Sequence, residues 1–239
     1  PDEYTALVNN NYYTNLIAQL TMEAAVKAVR TLEGDDAARL DKQFEQLGYN
    51  KTEIVTKLEE AAAAMYFPFS DELGIPLQDE SFADREPWDF LGADKAKYPL
   101  LLHYHPLVIY RHRVSKQGDM LLAEFLRAER FSYEERSKSY DYYELFTTHD
   151  SSLSASGYSI MANWLGRAGK AFHYFMETAR LDLDNTHGNT RDGLHLANMA
   201  GNWLALTAGY GGMQVRDGHL SFRPQLPPAW KSYDFRILF

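Results

Sequence analysis

The chain has 239 residues, of which 45% are hydrophobic and 24% are charged, a composition typical of a globular protein with a substantial core. Its 33 acidic and 24 basic residues give a formal net charge of −9 without a marked run of Lys or Arg. This balance argues against nucleic acid or an anionic membrane as a partner and suits a neutral, sugar-like substrate better. Cysteine is absent, which excludes disulfides and thiolate metal sites, and no targeting or membrane-spanning segment is recognisable, so a cytoplasmic location is expected.

Most of the chain carries the hydrophobic period of helices. Apolar residues recur at spacings of three and four over 8–31, which predicts a long helix that ends near Gly34. Gly48 marks a helix-ending turn, and Ser132 followed by Glu135 forms a capping-box signature. The further predicted helices cover 36–47, 52–65, 107–128, 133–145, 152–165, 168–181 and 192–207. Their consecutive pairing favours stacked αα-hairpins, as in an α/α toroid or a bundle.

Two segments lack the helical period. Residues 65–102 contain four prolines and seven aromatic side chains, a mixture typical of an ordered loop that lines or covers a site. Towards the C-terminus, 213–216 and 219–223 alternate around Asp217–Gly218, which predicts a hairpin, and 233–239 is expected to add a third strand. A sheet this small cannot bury a face by itself, so it is expected to cap the helices or to begin another domain.

A polar run at 147–154 leads directly into the apolar segment 158–165. A helix N-terminus exposes unpaired N–H groups and the positive end of the helix dipole, and His149, Ser151 and Ser152 are expected on the same turn. These are the donors that a phosphate group requires. The simpler alternative is ordinary capping, because Ser, Thr and Asp are the commonest N-cap residues.

Two further candidates could bind a sugar or an anion. Glu3 precedes the first helix, close to the Asn- and Tyr-rich segment 9–15, and desolvation by aromatic neighbours would raise the pKa of its carboxyl and suit it to general acid catalysis. The alternative is an acidic residue favoured by the helix dipole. Lys116 and Gln117, expected inside the 107–128 helix, offer an ammonium and an amide to an oxyanion, or form a solvated helix face.

The remaining polar motifs favour structural roles. Gly193 and Gly201, on either side of His195, are expected to let helices approach closely. His103 and His105 lie two positions apart in a proline-bounded segment, and no group of histidines has the spacing of a zinc motif. A G-x-S-x-G elbow is also absent. No metal ion or cofactor is therefore expected.

Several ordered motifs together resemble glycoside hydrolase family 65. They are PDEYT at 1–5, NNYYTN at 10–15, YR at 110–111, KQGD at 116–119, THDSSLS at 148–154, DGLH at 192–195, MAGNW at 199–203 and GYGGM at 209–213. That family contains the inverting phosphorylases of maltose, trehalose, kojibiose and nigerose. The resemblance implies a mainly α fold, with 1–212 as the second half of an (α/α)6-barrel catalytic domain and 213–239 as the first strands of a C-terminal β domain.

The resemblance also implies a reaction and its residues. Carried over position by position, the general acid corresponds to Glu3 and the phosphate-binding region corresponds to Lys116, Gln117, His149, Ser151 and Ser152. An inverting hydrolase uses a second carboxylate, about 6.5 to 9.5 Å from the acid, to activate water. A phosphorylase replaces that base with phosphate, which cationic and neutral donors attract. The implied products are β-glucose 1-phosphate and a free sugar, with phosphate as co-substrate, no cofactor, and a homodimer as the usual assembly.

Two positions depart from the family pattern. Gly118 stands where Ala is more frequent, and Tyr158 stands where His is frequent, so the geometry of the phosphate pocket is expected to change. A trehalase-like hydrolase of the same family is the alternative function, although Lys116 and Gln117 favour phosphorolysis. A third alternative is an inactive fragment that acts as a helical scaffold, because Glu3 lies two residues from the chain start, where fraying is expected.

Overall fold

The computed structural model describes residues 2–216, 218–227 and 230–238 and shows a mainly helical fold with a few short strands. Within these residues the α-helices are α1 (Tyr12–Thr31), α2 (Gly34–Leu47), α3 (Lys51–Ala63), α4 (Pro106–Ile109), α5 (Asp119–Leu126), α6 (Tyr133–Phe146), α7 (Ser154–Trp164), α8 (Ala168–Arg180) and α9 (Leu196–Leu204). A π-helical turn, Ala205–Tyr210, continues α9. None of the described helices is long and apolar enough to span a bilayer.

The strands of the described residues form three separate pairs. Antiparallel pairs join β1 (Phe69–Ser70) to β2 (Ile75–Pro76) and β5 (Gln214–Arg216) to β6 (His219–Ser221), whereas β3 (Glu86–Pro87) and β4 (His112–Arg113) pair in parallel. The β5–β6 pair confirms the predicted hairpin, although Asp217 at its turn lies outside the described residues. The predicted third strand at 233–239 is wrong for 233–238, which have no strand pairing, and Phe239 lies outside the described residues.

Local capping signals locate several helix ends as predicted. Gly48 ends α2 in the left-handed region with φ of 70°, which a residue without Cβ adopts freely. The predicted capping box is present, because the Ser132 hydroxyl accepts the Glu135 N–H at 3.1 Å and the Glu135 carboxylate accepts the Ser132 N–H at 2.7 Å. The first helix begins at Tyr12 instead of residue 8, because the Asn11 side chain caps it by accepting the Thr14 N–H at 2.9 Å.

The predicted single helix over 107–128 is wrong. Residues between α4 and α5 instead form β4, and Ser115 makes a parallel bridge to Thr147. These long-range bonds take up the backbone N–H and C=O groups that a continuous helix would use, and they outweigh local helix propensity. The apolar side chains that suggested a helix, including Ile109 and Val114, are fully buried in a core beside the aromatic loop.

The helix predicted over 192–207 begins later, at Leu196. Residues Thr190–Asp192 form a 3₁₀ turn, and Gly193 follows with φ of 133°, a backbone conformation that favours glycine. Gly201 has the expected packing role, because a Cβ there would lie 2.5 Å from the Ser156 hydroxyl on α7.

The aromatic segment 65–102 is an ordered loop, as predicted. Its Phe82 side chain is buried with Leu16 of α1 and Tyr143 of α6, and its Trp88 and Leu100 side chains pack around Tyr4 near the chain start. Burying side chains of this size contributes roughly 1.5 to 3 kcal/mol each. The loop therefore fixes the N-terminal turn that carries Glu3 against the helical body.

Candidate active site

Glu3 lies on a 3₁₀ turn, Glu3–Thr5, whose other residues are buried. Asp2 caps this turn, because its Oδ1 accepts the Tyr4 N–H at 2.7 Å. The Glu3 side chain is 60% exposed, whereas Asp2, Tyr4 and Thr5 have no exposed surface. The turn is therefore held by its buried neighbours and presents one carboxylate outwards.

Lys116 lies beside Glu3, although 113 positions separate them in the chain. The ammonium Nζ forms an ion pair with Glu3 Oε2, and its side chain is only 21% exposed. Lys116 and Gln117 lie in the turn between β4 and α5, not inside a helix as predicted. The Gln117 side chain donates to Asp119 Oδ1 at 3.2 Å. The structure thus brings together two of the predicted motifs.

The third predicted motif, the polar stretch at 148–154, is connected to the Lys116–Gln117 turn by backbone hydrogen bonds. The Ser115 N–H donates to the Phe146 carbonyl at 2.7 Å, and the Thr148 N–H donates to the Ser115 carbonyl at 2.9 Å. Lys116 therefore directly follows a residue that is bonded to Thr148, where the polar stretch 148–154 begins. Gln117, Gly118, Leu153 and Ser154 also line a mainly apolar cleft of about 210 Å³ together with residues of α5, α7 and α9. Glu3, Lys116, His149, Ser151 and Ser152 are not among its lining residues.

The sequence predicted that the polar stretch would form the first turn of a helix. In the structure nearly all of it lies before the helix. Helix α7 begins at Ser154, and Leu153 at its N-cap makes no side-chain capping bond. Ser151 and Ser152 lie just before the helix and are partly buried, and the Ser151 hydroxyl accepts the Leu153 N–H at 3.2 Å. The hydroxyls therefore lie near the positive end of the helix dipole without occupying its first turn.

His149 is held inside the protein by both ring nitrogens. Nδ1 is hydrogen bonded to the Ser154 hydroxyl at 2.8 Å, and Nε2 is 3.3 Å from the Tyr174 hydroxyl. Burial lowers the pKa of His149 to about 4, so its imidazole is neutral at pH 7. Its backbone is left-handed, with φ of 59°. In this state His149 offers no positive charge to an anion, and its ring would have to release one partner to bind a ligand.

The two departures from the family pattern are in contact. A Cβ at Gly118 would lie 2.7 Å from the Tyr158 ring, well inside van der Waals distance. The Tyr158 hydroxyl is 2.8 Å from the Thr147 Oγ1, which fixes the ring in this position. The absence of a Cβ at Gly118 therefore leaves room for the Tyr158 ring.

Sequence patterns did not reveal two carboxylate contacts of the structure. The Asp150 carboxylate accepts hydrogen bonds from the Tyr4 hydroxyl and from the Leu100 N–H. His195, expected only beside packing glycines, is held by Asp182, with Nδ1 and Oδ1 2.6 Å apart. Nothing in local spacing reveals these pairs, because each depends on how distant segments fold together.

His187 lies on the same α8–α9 connection, with its ring centroid 6.2 Å from that of His195. Burial lowers the pKa of His187, and the charges of His195 and Lys116 act in the same direction, while Asp150 opposes them. Among the described residues, no three His, Asp or Glu side chains converge as a metal site would require.

Two models from one protein family match this chain. The model of the glycosyl hydrolase family 65 central catalytic domain matches residues 1–204, and that of the family's C-terminal domain matches 213–239. The chain belongs to glycosyl hydrolase family 65, which confirms the resemblance drawn from its motifs.

Its relatives include disaccharide phosphorylases. The chain is 48% identical over 239 residues to an α,α-trehalose phosphorylase of Geobacillus stearothermophilus, covering 100% of this chain and 31% of that protein. It is 38% identical to a maltose phosphorylase of Bacillus subtilis, covering 99% of this chain and 30% of the relative. A solved structure described as a candidate kojibiose phosphorylase from the human microbiome superposes with a TM-score of 0.83 at 31% identity, covering 96% of this chain and 30% of that one. The chain thus spans about a third of the length of these relatives.

Proposed function

We propose that the protein carrying this chain is an inverting phosphorylase of an α-linked glucose disaccharide of the maltose, trehalose, kojibiose or nigerose type. The observation that carries this proposal is the meeting of Glu3 and Lys116 beside the 148–154 stretch, across more than a hundred residues of sequence. The trehalose, maltose and kojibiose phosphorylases among its relatives support it.

In the proposed reaction, Glu3 is the general acid. Its exposed carboxyl donates a proton to the glycosidic oxygen while a phosphate oxygen attacks the anomeric carbon from the opposite face. The bond from the anomeric carbon to the leaving sugar breaks as the bond to phosphate forms. The configuration inverts, and the products are β-glucose 1-phosphate and a free sugar.

The proposed phosphate site combines charge and neutral donors. Lys116 supplies the positive charge. In this structure its ammonium is paired with the Glu3 carboxylate, with which phosphate would compete for Lys116. Gln117, Ser151 and Ser152 supply neutral donors, and His149 would take part as a neutral imidazole after releasing Ser154 or Tyr174. A carboxylate in place of these groups would repel phosphate, which is why this donor set suits phosphorolysis better than water activation.

The same proposal covers the whole protein. Residues 1–212 would form the second half of an (α/α)6 barrel and 213–239 the start of a C-terminal β domain, in line with the superposition on the solved relative. The protein would be a cytoplasmic homodimer that uses phosphate as a co-substrate and requires no cofactor or metal ion.

The test is to incubate the whole protein with maltose, trehalose, kojibiose and nigerose, each with and without inorganic phosphate. Phosphorolysis predicts cleavage of one of them only when phosphate is present. Release of glucose at the same rate without phosphate would overturn the proposal in favour of a hydrolase. Comparing the 239-residue chain with the whole protein would show whether this part is active alone or serves as a scaffold.

A further inference from the structure

The residues on either side of Glu3 are buried while Glu3 itself is exposed. Asp2 and Tyr4 both have 0% exposed surface. Adjacent residues of a tight turn point in different directions, so holding two neighbours inwards forces the residue between them outwards. The contacts that hold Asp2 and Tyr4 therefore decide where the Glu3 carboxyl can lie.

Asp2 accepts hydrogen bonds from three backbone N–H groups, one in its own turn and two in the distant turn at 116–117. Its Oδ1 accepts from Tyr4 at 2.7 Å, and its Oδ2 accepts from Lys116 at 2.7 Å and from Gln117 at 2.8 Å. Burial and the Asp119 carboxylate raise the pKa of Asp2 to about 7, against the lowering by these three bonds. One side chain thus fastens the turn that carries Glu3 to the turn that carries its ion-pair partner.

Asp150 holds the other neighbour. Its Oδ2 accepts the Tyr4 hydroxyl and the Leu100 N–H, the latter at 3.1 Å. The Leu100 N–H also lies 2.9 Å from the Tyr4 hydroxyl, so the three groups form a closed triangle. Burial raises the pKa of Tyr4, which keeps its phenol protonated and able to donate. Asp150 belongs to the 148–154 stretch, so this triangle ties that stretch to the Glu3 turn.

We infer that Asp2 and Asp150 are positioning residues that fix the Glu3 carboxyl between the Lys116–Gln117 turn and the 148–154 stretch. This inference rests on the proposed role of Glu3 as the general acid. Neither carboxylate touches the reacting atoms in this account. Each acts by restricting the turn that carries the acid, and a displacement of about 1 Å can cost on the order of 100-fold in rate.

Two substrates separate a positioning role from a merely structural one. A disaccharide needs a proton on its leaving oxygen, whereas α-glucosyl fluoride loses fluoride without one, as the anomeric carbon–fluorine bond breaks and the bond to phosphate or water forms. The whole protein with Asp2→Asn or Asp150→Asn is expected to lose roughly tenfold or more of its kcat on the disaccharide. At saturating phosphate its kcat on α-glucosyl fluoride is expected to change by less than about twofold, because that reaction bypasses the acid. Any loosening of the Lys116–Gln117 turn in Asp2→Asn is expected in the KM for phosphate, which is measured alongside.

Two matched variants complete the experiment. Glu124→Gln makes the same carboxyl-to-amide change at a fully buried position outside the site and is expected to leave the ratio of the two activities unchanged. Glu3→Gln is expected to show the largest loss of kcat on the disaccharide relative to kcat on α-glucosyl fluoride.

Parallel loss on both substrates in the Asp2 and Asp150 variants, or no loss on either, would overturn the positioning role. If Glu3→Gln lowers kcat on the disaccharide alone, and the Asp2 and Asp150 variants do not show this difference between substrates, only the positioning role fails. If Glu3→Gln itself affects both substrates alike, the acid assignment fails and the inference falls with it. The ratio of the activities on the disaccharide and on α-glucosyl fluoride can be measured whether phosphate or water attacks the anomeric carbon. A finding of hydrolysis would therefore overturn the phosphorolysis proposal and leave the positioning role standing.

Discussion

The buried carboxyl of Glu124, outside the site, provides a sharp test of how burial controls stability. Its side chain on α5 has no exposed surface, and within the described part of the chain neither carboxyl oxygen makes a hydrogen bond of good geometry. Burial raises the pKa of Glu124 to about 8, against smaller lowering by the Ser139 hydroxyl and the Arg136 guanidinium. At neutral pH this carboxyl is expected to be protonated.

The sign of the effect follows from proton linkage. Between pH 4.5, the ordinary value, and about 8, the unfolded chain has released this proton and the folded chain still holds it. The free energy of unfolding therefore falls as the pH rises through this window, by about 1.4 kcal/mol per unit and at most about 5 kcal/mol in total. Below pH 4.5 both states are protonated and the penalty disappears.

Glu124→Gln removes this titration while keeping the size of the side chain. Denaturant unfolding at pH 5, 6, 7 and 8 is expected to show similar stability of variant and wild type at pH 5, and a variant that is more stable by several kcal/mol at pH 8. Glu134→Gln, at an exposed position on α6, serves as the control and should show no such divergence. A constant difference between Glu124→Gln and wild type from pH 5 to 8 would refute the reasoning.

Two further variants test the site itself. Lys116→Ala is expected to raise the KM for phosphate about tenfold or more, through loss of a charge-assisted bond, and to affect the sugar KM less. Lys170→Ala removes an exposed ammonium as the control, and an unchanged phosphate KM in Lys116→Ala would show that the anion site is misassigned. Gly118→Ala is expected to lower Tm, because its Cβ would meet the Tyr158 ring at 2.7 Å, and adding Tyr158→His should restore part of the loss. Gly157→Ala, which faces open space, is the control, and a Gly118→Ala protein as stable as wild type would contradict the contact.

The sequence predicted those parts of the fold that local chemistry determines. The capping box at Ser132 and the left-handed Gly48 act within a single turn, so their signals needed no tertiary information. The segment from 107 to 128 failed because its apolar residues satisfy helical spacing, yet Ser115 and its neighbours bond to strands from distant parts of the chain. Propensity cannot reveal such competing pairings.

At the site, too, local sequence predicted some residues, and long-range contacts determined the others. The residue types of Glu3 and Lys116 suggested acid and anion chemistry, and the structure brings these two side chains together. The supporting carboxylates Asp2 and Asp150 gave no such signal, because an acidic residue beside Glu3 or within a polar run usually faces solvent. Their bonds to the 116–117 turn and to Leu100 join segments that are distant in the chain, so they appear only in the folded structure.

The most direct test of the central claim is the anomeric form of the product. Proton NMR of the reaction, recorded with the cleaved disaccharide and inorganic phosphate before mutarotation of the free sugar, distinguishes the two glucose 1-phosphates. An acid on one face and phosphate on the other predict β-glucose 1-phosphate from the wild type and a much slower appearance of it with Glu3→Gln. The appearance of α-glucose 1-phosphate, or of free glucose alone, would contradict the account.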